Sequence, residues 1–263
     1  MNVSRPSTVL VVDDNAIIRR LQEAQLESLH LRVMAAVDGD EALSLMSTVR
    51  PDLVLLDVVM PGLDGFRVCQ ALKANPDTRD VPVMVVTALG EDARDRSFAA
   101  GADDFMRKPP NTLLLRARVM EHLRIRWAGL GRKVVADGPL LLATANPELS
   151  VSVLSSVPGE VKVLRAASFD EARAVMAENP VAVILDLGLE LNETRGAAFA
   201  RELREAHRDL PILLAHQDED FTILEEEHPP VDDFLELPAA ASEVRHRVHL
   251  LMRLAAAAVV LRA

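Results

Sequence analysis

Pro51-Asp52-Leu53-Val54-Leu55-Leu56-Asp57 returns 129 residues later as Pro180-Val181-Ala182-Val183-Ile184-Leu185-Asp186. Each copy is a proline, a short apolar run without alternation, and a terminal aspartate. A run this short, bounded by a turn residue and apolar on both faces, reads as a strand in the middle of a parallel sheet. The same spacing relates Pro82 to Pro211, Asp103-Asp104-Phe105-Met106 to Asp232-Asp233-Phe234-Leu235, and Arg116-Ala117-Arg118-Val119 to Arg245-His246-Arg247-Val248. A period this long, present twice, means two copies of one domain and not a solenoid.

Around the first aspartate, runs rich in Val and Leu at Val9–Val12, Val33–Ala36, Leu53–Leu56, Val83–Val86 and Asp104–Met106 alternate with helical spacing. Helix starts fall in the gaps: Asn15 before the first, Asp40-Glu41 at the second, Asp64 at the third, Asp92 at the fourth, Asn111 or Thr112 at the fifth. In the second copy, Asn146-Pro147 puts proline at a first helical position, and Ser168 to Glu171 forms a capping box. Each copy is therefore a (βα)5 unit of the α/β class. Gly129, Gly131, Gly138 and Pro139 punctuate the join, which gives a first domain at 1–128, a linker at 129–139 and a second domain at 140–263. From Ser242 onward Val244, Val248, Leu251, Ala255, Ala258 and Leu261 keep helical spacing to the last residues.

The 263 residues divide comfortably into two such domains. The net charge of −11 opposes the phosphate backbone, and seven Phe, one Trp and no Tyr offer few stacking platforms, so direct nucleic-acid binding is not expected. Cys69 is the only cysteine, which excludes an internal disulfide and points to a reducing, cytoplasmic setting. Leu254–Leu261 is too short to span a bilayer, and the opening Met-Asn-Val-Ser-Arg-Pro carries no apolar signal segment.

In an open parallel sheet, the residues that follow the strands' carboxyl ends share one rim, where ligands bind. Here they are Asp13-Asp14, Asp57, Thr87-Ala88 and Lys108-Pro109. Three carboxylates at one rim repel one another and need a cation. Mg²⁺ suits them: it takes oxygen ligands, keeps several waters, and binds through one or two carboxylates plus phosphate. Asp57 could then act as a nucleophile and take up a phosphoryl group as an acyl phosphate. Mg²⁺, the Lys108 ammonium and the Thr87 hydroxyl would divide the charge of the transferred oxygens. Taken singly each residue has a plainer reading: Asp13 and Asp14 as caps, Lys108 as a surface charge, Phe105 as core. Convergence on one rim argues against coincidence.

The stretches VLVVDDN, LVLLDVVMPGLDG, VVTA and FMRKP, in this order and spacing, resemble the receiver domain of two-component response regulators over the whole first unit. The resemblance implies a flavodoxin-like sheet of order 2-1-3-4-5 and phosphorylation of Asp57 by a sensor histidine kinase or histidine phosphotransfer protein. It implies Mg²⁺ held by Asp14, Asp57 and the backbone carbonyl of Val59, with Asp13 acting mainly through water. Thr87 and Phe105 would be the switch pair, and the Lys108-Pro109 peptide would be cis. An intact receiver followed by a degenerate one resembles the input half of PleD-type diguanylate cyclases, in which the second receiver is an unphosphorylated adaptor and phosphorylation promotes a homodimer. No GGDEF or GGEEF signature occurs in residues 1–263, so this chain is not expected to be an enzyme, and a free-standing relay and the input half of a cyclase both stay open.

The second unit keeps the scaffold and changes the chemistry. Thr144-Ala145 stands where the acid pair would be, His216 where the threonine would be, and Leu237-Pro238 where Lys108-Pro109 would be. Only Asp186 survives, and a lone carboxylate beside a leucine makes a poor magnesium or phosphoryl site. A transition-metal site of Asp186, Glu190 and His216 is a sharper alternative, and Glu225-Glu226-Glu227-His228 reads as a solvated acidic face. The competing function is a Mg²⁺-dependent phosphohydrolase with an Asp nucleophile. Such enzymes place a second acid two residues beyond the nucleophile, where this chain has Val59. No phosphate-binding glycine loop follows the first strand.

Overall fold

In the computed structural model, the described residues are 6–130, 134–189, 193–217 and 230–262. They form two compact units, Met1–Arg126 and Trp127–Ala263. Glu190, Gly131 and the Glu225–His228 run lie outside the described residues.

The first unit alternates β1 (Thr8–Val12), α1 (Ala16–Leu26), β2 (Arg32–Ala36), α2 (Gly39–Val49), β3 (Leu53–Leu56), α3 (Gly65–Ala74), β4 (Val83–Thr87), α4 (Glu91–Ala99), β5 (Asp104–Arg107) and α5 (Thr112–Trp127). All pairings are parallel, in the order β2-β1-β3-β4-β5. The reason the strands show no polar alternation is now visible. Leu10, Val12, Val54, Leu56, Val83 and Val85 pack with Phe66, Val68, Cys69 and Leu72 on one face. Val9, Val11, Leu53, Leu55, Met84 and Val86 pack with Leu26, Leu115, Val119 and Leu123 on the other. Both faces of the sheet are dry, so both sets of side chains must be apolar.

The second unit repeats this with β6 (Leu140–Ala143), α6 (Pro147–Leu154), β7 (Val163–Ala166), α7 (Phe169–Val175), β8 (Ala182–Asp186), α8 (Glu193–Ala206), β9 (Ile212–His216), β10 (Asp233–Glu236) and α9 (Ala241–Arg262). Its sheet runs β10-β9-β8-β6-β7, which read from the other edge is the same order. The segment where a fourth helix is expected, 218–229, lies outside the described residues.

Most helix starts follow from their caps. The Ile17 N–H donates to Asn15 Oδ1 at 2.9 Å, Arg67 N–H to Asp64 Oδ1 at 2.9 Å, and Leu113 N–H to Asn111 Oδ1 at 2.9 Å. Such caps are each worth about 1 kcal/mol. Two expectations need correction. The second helix is capped by Asp38, whose Oδ1 accepts from Glu41, while Asp40 and Glu41 sit in its first turn. The fourth begins at Glu91, not at Asp92, and has no side-chain cap because its N-cap position falls on Gly90, which carries no side chain to accept. Within the stretch read as a linker, the Ala136 N–H donates to the Met252 carbonyl, and Val135 and Ala136 pack on the second unit's core.

The repeated Asp-Asp pairs turn out to be structural. Asp103 Oδ2 accepts from the Val83 N–H at 2.9 Å and stands 2.6 Å from Lys73 Nζ. Asp232 Oδ2 does the same with the Ile212 N–H at 2.9 Å and Arg204 at 2.6 Å. Each second aspartate meets the repeated arginine: Asp104 with Arg118 at 3.8 Å, Asp233 with Arg247 at 3.1 Å. Buried carboxylates demand such partners, which explains why the repeat preserves both members. Among the described residues, no helix is long and apolar enough to cross a membrane.

Candidate functional site

The rim of the first sheet is built by local rules. Asp13 follows β1 directly, and its N–H still continues the ladder by donating to the Ala36 carbonyl at 3.2 Å. Its side chain turns back so that Oδ1 accepts from the Asn15 N–H at 2.9 Å, while Arg19 of α1 donates to its carbonyl oxygen at 2.5 Å. Asp57 follows β3 in the same way, with its N–H on the Val12 carbonyl at 2.8 Å and its Oδ1 accepting from Val58 at 2.7 Å. Parallel neighbours β1 and β3 thus deliver two carboxylates side by side.

Lys108 joins them. Its Nζ is 2.5 Å from Asp13 Oδ2 and 2.7 Å from Asp57 Oδ2. Its own N–H bonds the Thr87 carbonyl at 2.8 Å, and the Lys108-Pro109 peptide is cis. Asp13 is 1% exposed and Asp57 6%, so this shared ammonium sits where solvent screens little. Asp14 is exposed at the mouth, and one ligand atom from each of Asp13, Asp14 and Asp57 can lie within 4.8 Å of the others. Among the described residues it is the only acidic or imidazole cluster that close.

This donor set fits a divalent cation. Three carboxylates less one ammonium leave two negative charges, all on oxygen ligands, with one acid open to water; Mg²⁺ favours that combination. Thr87 is fully buried, its Oγ1 accepting a long 3.4 Å bond from the Leu89 N–H. Phe105 lies on β5 opposite Val85, and Val59 stands exposed after β3.

Gly65, at the start of α3, has a strict steric role. A Cβ there would stand 2.1 Å from the Asp57 carbonyl oxygen and 2.8 Å from Val58 Cα, so α3 can begin directly against the Asp57-Val58 backbone only without a side chain. Its N–H bonds the Val58 carbonyl at 3.0 Å.

In the second unit the same positions tell a different story. Thr144 occupies the place of Asp13, and it reproduces the turn: the Asn146 N–H donates to Thr144 Oγ1 at 2.9 Å. The Thr144 hydroxyl in turn donates to Asp186 Oδ2 at 2.6 Å, and the Gly188 N–H to Asp186 Oδ1 at 3.0 Å. Asp186, 3% exposed, is satisfied by neutral donors in place of an ammonium. Sequence spacing located Thr144 but gave no hint of this bond. His216 is buried with its ring edge-on to Phe234 at 6.4 Å, the pair occupying the places of Thr87 and Phe105. The suggested site of Asp186, Glu190 and His216 cannot be described as a set, since Glu190 is outside the described residues. Leu237-Pro238 is also cis, but it brings no charge.

The family model for the response regulator receiver domain matches residues 9–120. Over 264 residues the chain is 33% identical to the response regulator PleD of Caulobacter vibrioides, covering 91% of this chain and 58% of PleD. It is 37% identical over 139 residues to the DNA-binding dual master transcriptional regulator RpaA of Synechocystis, covering 51% of this chain and 58% of RpaA. The chain thus spans well under two thirds of both curated relatives. Among solved structures, the signal receiver domain of a histidine kinase from Syntrophus aciditrophicus is 32% identical, with 50% of this chain and 97% of that one covered and a TM-score of 0.44.

Proposed function

Because the chain belongs through its first unit to the response regulator receiver family, and resembles PleD across both units, we infer that Asp57 accepts a phosphoryl group from a histidine kinase or histidine phosphotransfer protein and passes the event on as a change of shape. One observation carries the reading: a nine-tenths buried aspartate at a strand end, with a lysine 2.7 Å away and two further carboxylates beside it.

In the transfer, an Asp57 oxygen bonds to phosphorus as the P–N bond of a phosphohistidine breaks. The imidazole leaves with the electron pair and takes a proton, and an acyl phosphate remains on Asp57. Lys108 already lies between Asp13 and Asp57 and is placed to follow the new negative charge. Asp13, Asp14, Asp57 and the Val59 carbonyl would hold Mg²⁺, which when bound neutralises the oxygens of the transferred group. Thr87 and Phe105, buried on neighbouring strands, are the pair through which the added charge would repack the β4–β5 side. A few kcal/mol between two packings suffices for such a switch.

The second unit serves as an adaptor. Its aspartate is occupied by Thr144 and Gly188, and where Lys108 would stand it has Leu237. The likeness to PleD over both units supports the pair as the input half of a diguanylate cyclase when joined to an output. The reading sets the protein in the cytoplasm, with neither nucleic acid nor membrane as a direct partner, in keeping with the net charge of −11. The phosphohydrolase alternative gains nothing from the structure: Val59, at the second-acid position, carries no proton to give.

Acetyl phosphate with Mg²⁺ followed by intact mass tests the reading. One phosphoryl group per chain is expected, and none when Mg²⁺ is chelated. Full labelling in chelator would remove the metal from the mechanism, and no labelling with Mg²⁺ would remove the mechanism itself. For the output, light scattering should show the mass doubling on addition of beryllofluoride and Mg²⁺; an unchanged mass would count against signalling by dimerisation.

A further inference from the structure

The rear half of α1 carries a buried amide that a core helix does not require. Gln25 is 8% exposed, and its Nε2 donates to the Pro110 carbonyl at 3.1 Å and to Thr112 Oγ1 at 3.0 Å. Its backbone carbonyl accepts from Arg116 Nε at 2.5 Å. The orientation of the amide is set by chemistry: a proline offers only a carbonyl acceptor, so the NH₂ end must face Pro110. That leaves Gln25 Oε1 buried with no hydrogen-bond partner among the described residues. A buried acceptor without a donor lowers stability, and an apolar side chain of the same shape would avoid the loss. A local conflict of this kind tends to mark a residue kept for the geometry it enforces.

What Gln25 holds is the chain just beyond Lys108. From Lys108 the backbone passes through the cis bond to Pro109, then reaches Pro110, whose carbonyl Gln25 grips, and Thr112, which opens α5. On the near side Lys108 is held by its N–H on the Thr87 carbonyl and by the carboxylates its ammonium serves. The geometry points to Gln25 as a positioning residue for the phosphoryl-transfer site: by clasping the loop 110–112 to α1, it holds the Lys108 ammonium at Asp13 and Asp57. Gln25 touches neither carboxylate. It acts through the lysine's backbone, and this role rests on the reading of Asp57 as the phosphoacceptor.

The test uses the full chain and Gln25→Met, which keeps the length and apolar fill and removes both N–H donors. Rates of labelling by acetyl phosphate with Mg²⁺ are followed by intact mass over a range of phosphodonor, alongside thermal midpoints. The midpoint of Gln25→Met should stay close to that of wild type, since the unpaired Oε1 disappears as the Pro110 carbonyl loses its donor, while the maximal labelling rate falls about tenfold, the size of effect a small displacement of a charged group produces. The decisive arm is Lys108→Ala: in that background Gln25→Met should cost nothing more, because the group it positions is gone. An unchanged rate in Gln25→Met would overturn the proposal. So would an equal fall with and without Lys108, which would make Gln25 a general packing residue. If wild type itself takes no label, the phosphoacceptor reading fails instead, and the two failures are distinct.

Discussion

Asp57→Asn is expected to take up no phosphoryl group from acetyl phosphate and Mg²⁺, while Asp186→Asn labels once, as wild type does. The amide at position 57 keeps the shape and the buried setting but has no carboxylate oxygen to form an acyl phosphate, and it removes one charge from the set that fits a divalent cation. Asp186 differs in its partners. Its oxygens already accept from Thr144 at 2.6 Å and Gly188 at 3.0 Å, and Leu237 supplies no ammonium. Peptide mapping should place the single wild-type label within residues 51–66. Two labels on wild type, or one that survives Asp57→Asn, would break the division of labour between the units.

Gly65→Ala should have the largest effect on stability of any single methyl added to the first unit. The new Cβ would meet the Asp57 carbonyl oxygen at 2.1 Å and Val58 Cα at 2.8 Å, both backbone atoms that cannot swing aside like a side chain. Relief requires α3 to back away from the end of β3, and overpacking of this severity costs about 3 kcal/mol, a fall on the order of 10 °C in the first unfolding transition. Labelling by acetyl phosphate should fall with it, since the same shift moves the Asp57 backbone. Gly159→Ala is the comparison, because nothing lies within 4 Å of its Cβ position; its midpoint should stay within a degree or two of wild type. A Gly65→Ala protein as stable as Gly159→Ala would mean that α3 and β3 are not packed as closely as described.

The strands were legible because a sheet dry on both faces leaves a sequence mark that needs no partner to read: Leu53–Leu56 and Ala182–Leu185 are apolar at every position. The caps at Asn15, Asp64 and Asn146 were legible for a similar reason, each bonding within a few residues of itself. Where the reading slipped, at Asp92 and at Asp40-Glu41, several polar residues stood in a row. Local chemistry alone does not choose which of them meets the free N–H groups.

By itself, then, the amino-acid sequence determined the two-fold repeat, the order of strands and helices, and the identity of the acids and the lysine that strand ends deliver to one rim. Those follow from short-range periodicity and from the rule that side chains after parallel strands share an edge. Only the tertiary structure decided which atoms meet there: Lys108 shared between Asp13, 95 residues away, and Asp57; Gln25 on the Pro110 carbonyl, 85 residues on; Thr144 on Asp186, 42 residues on. Contacts across such separations depend on register and helix placement fixed by the packed core, and no local pattern along the chain encodes them.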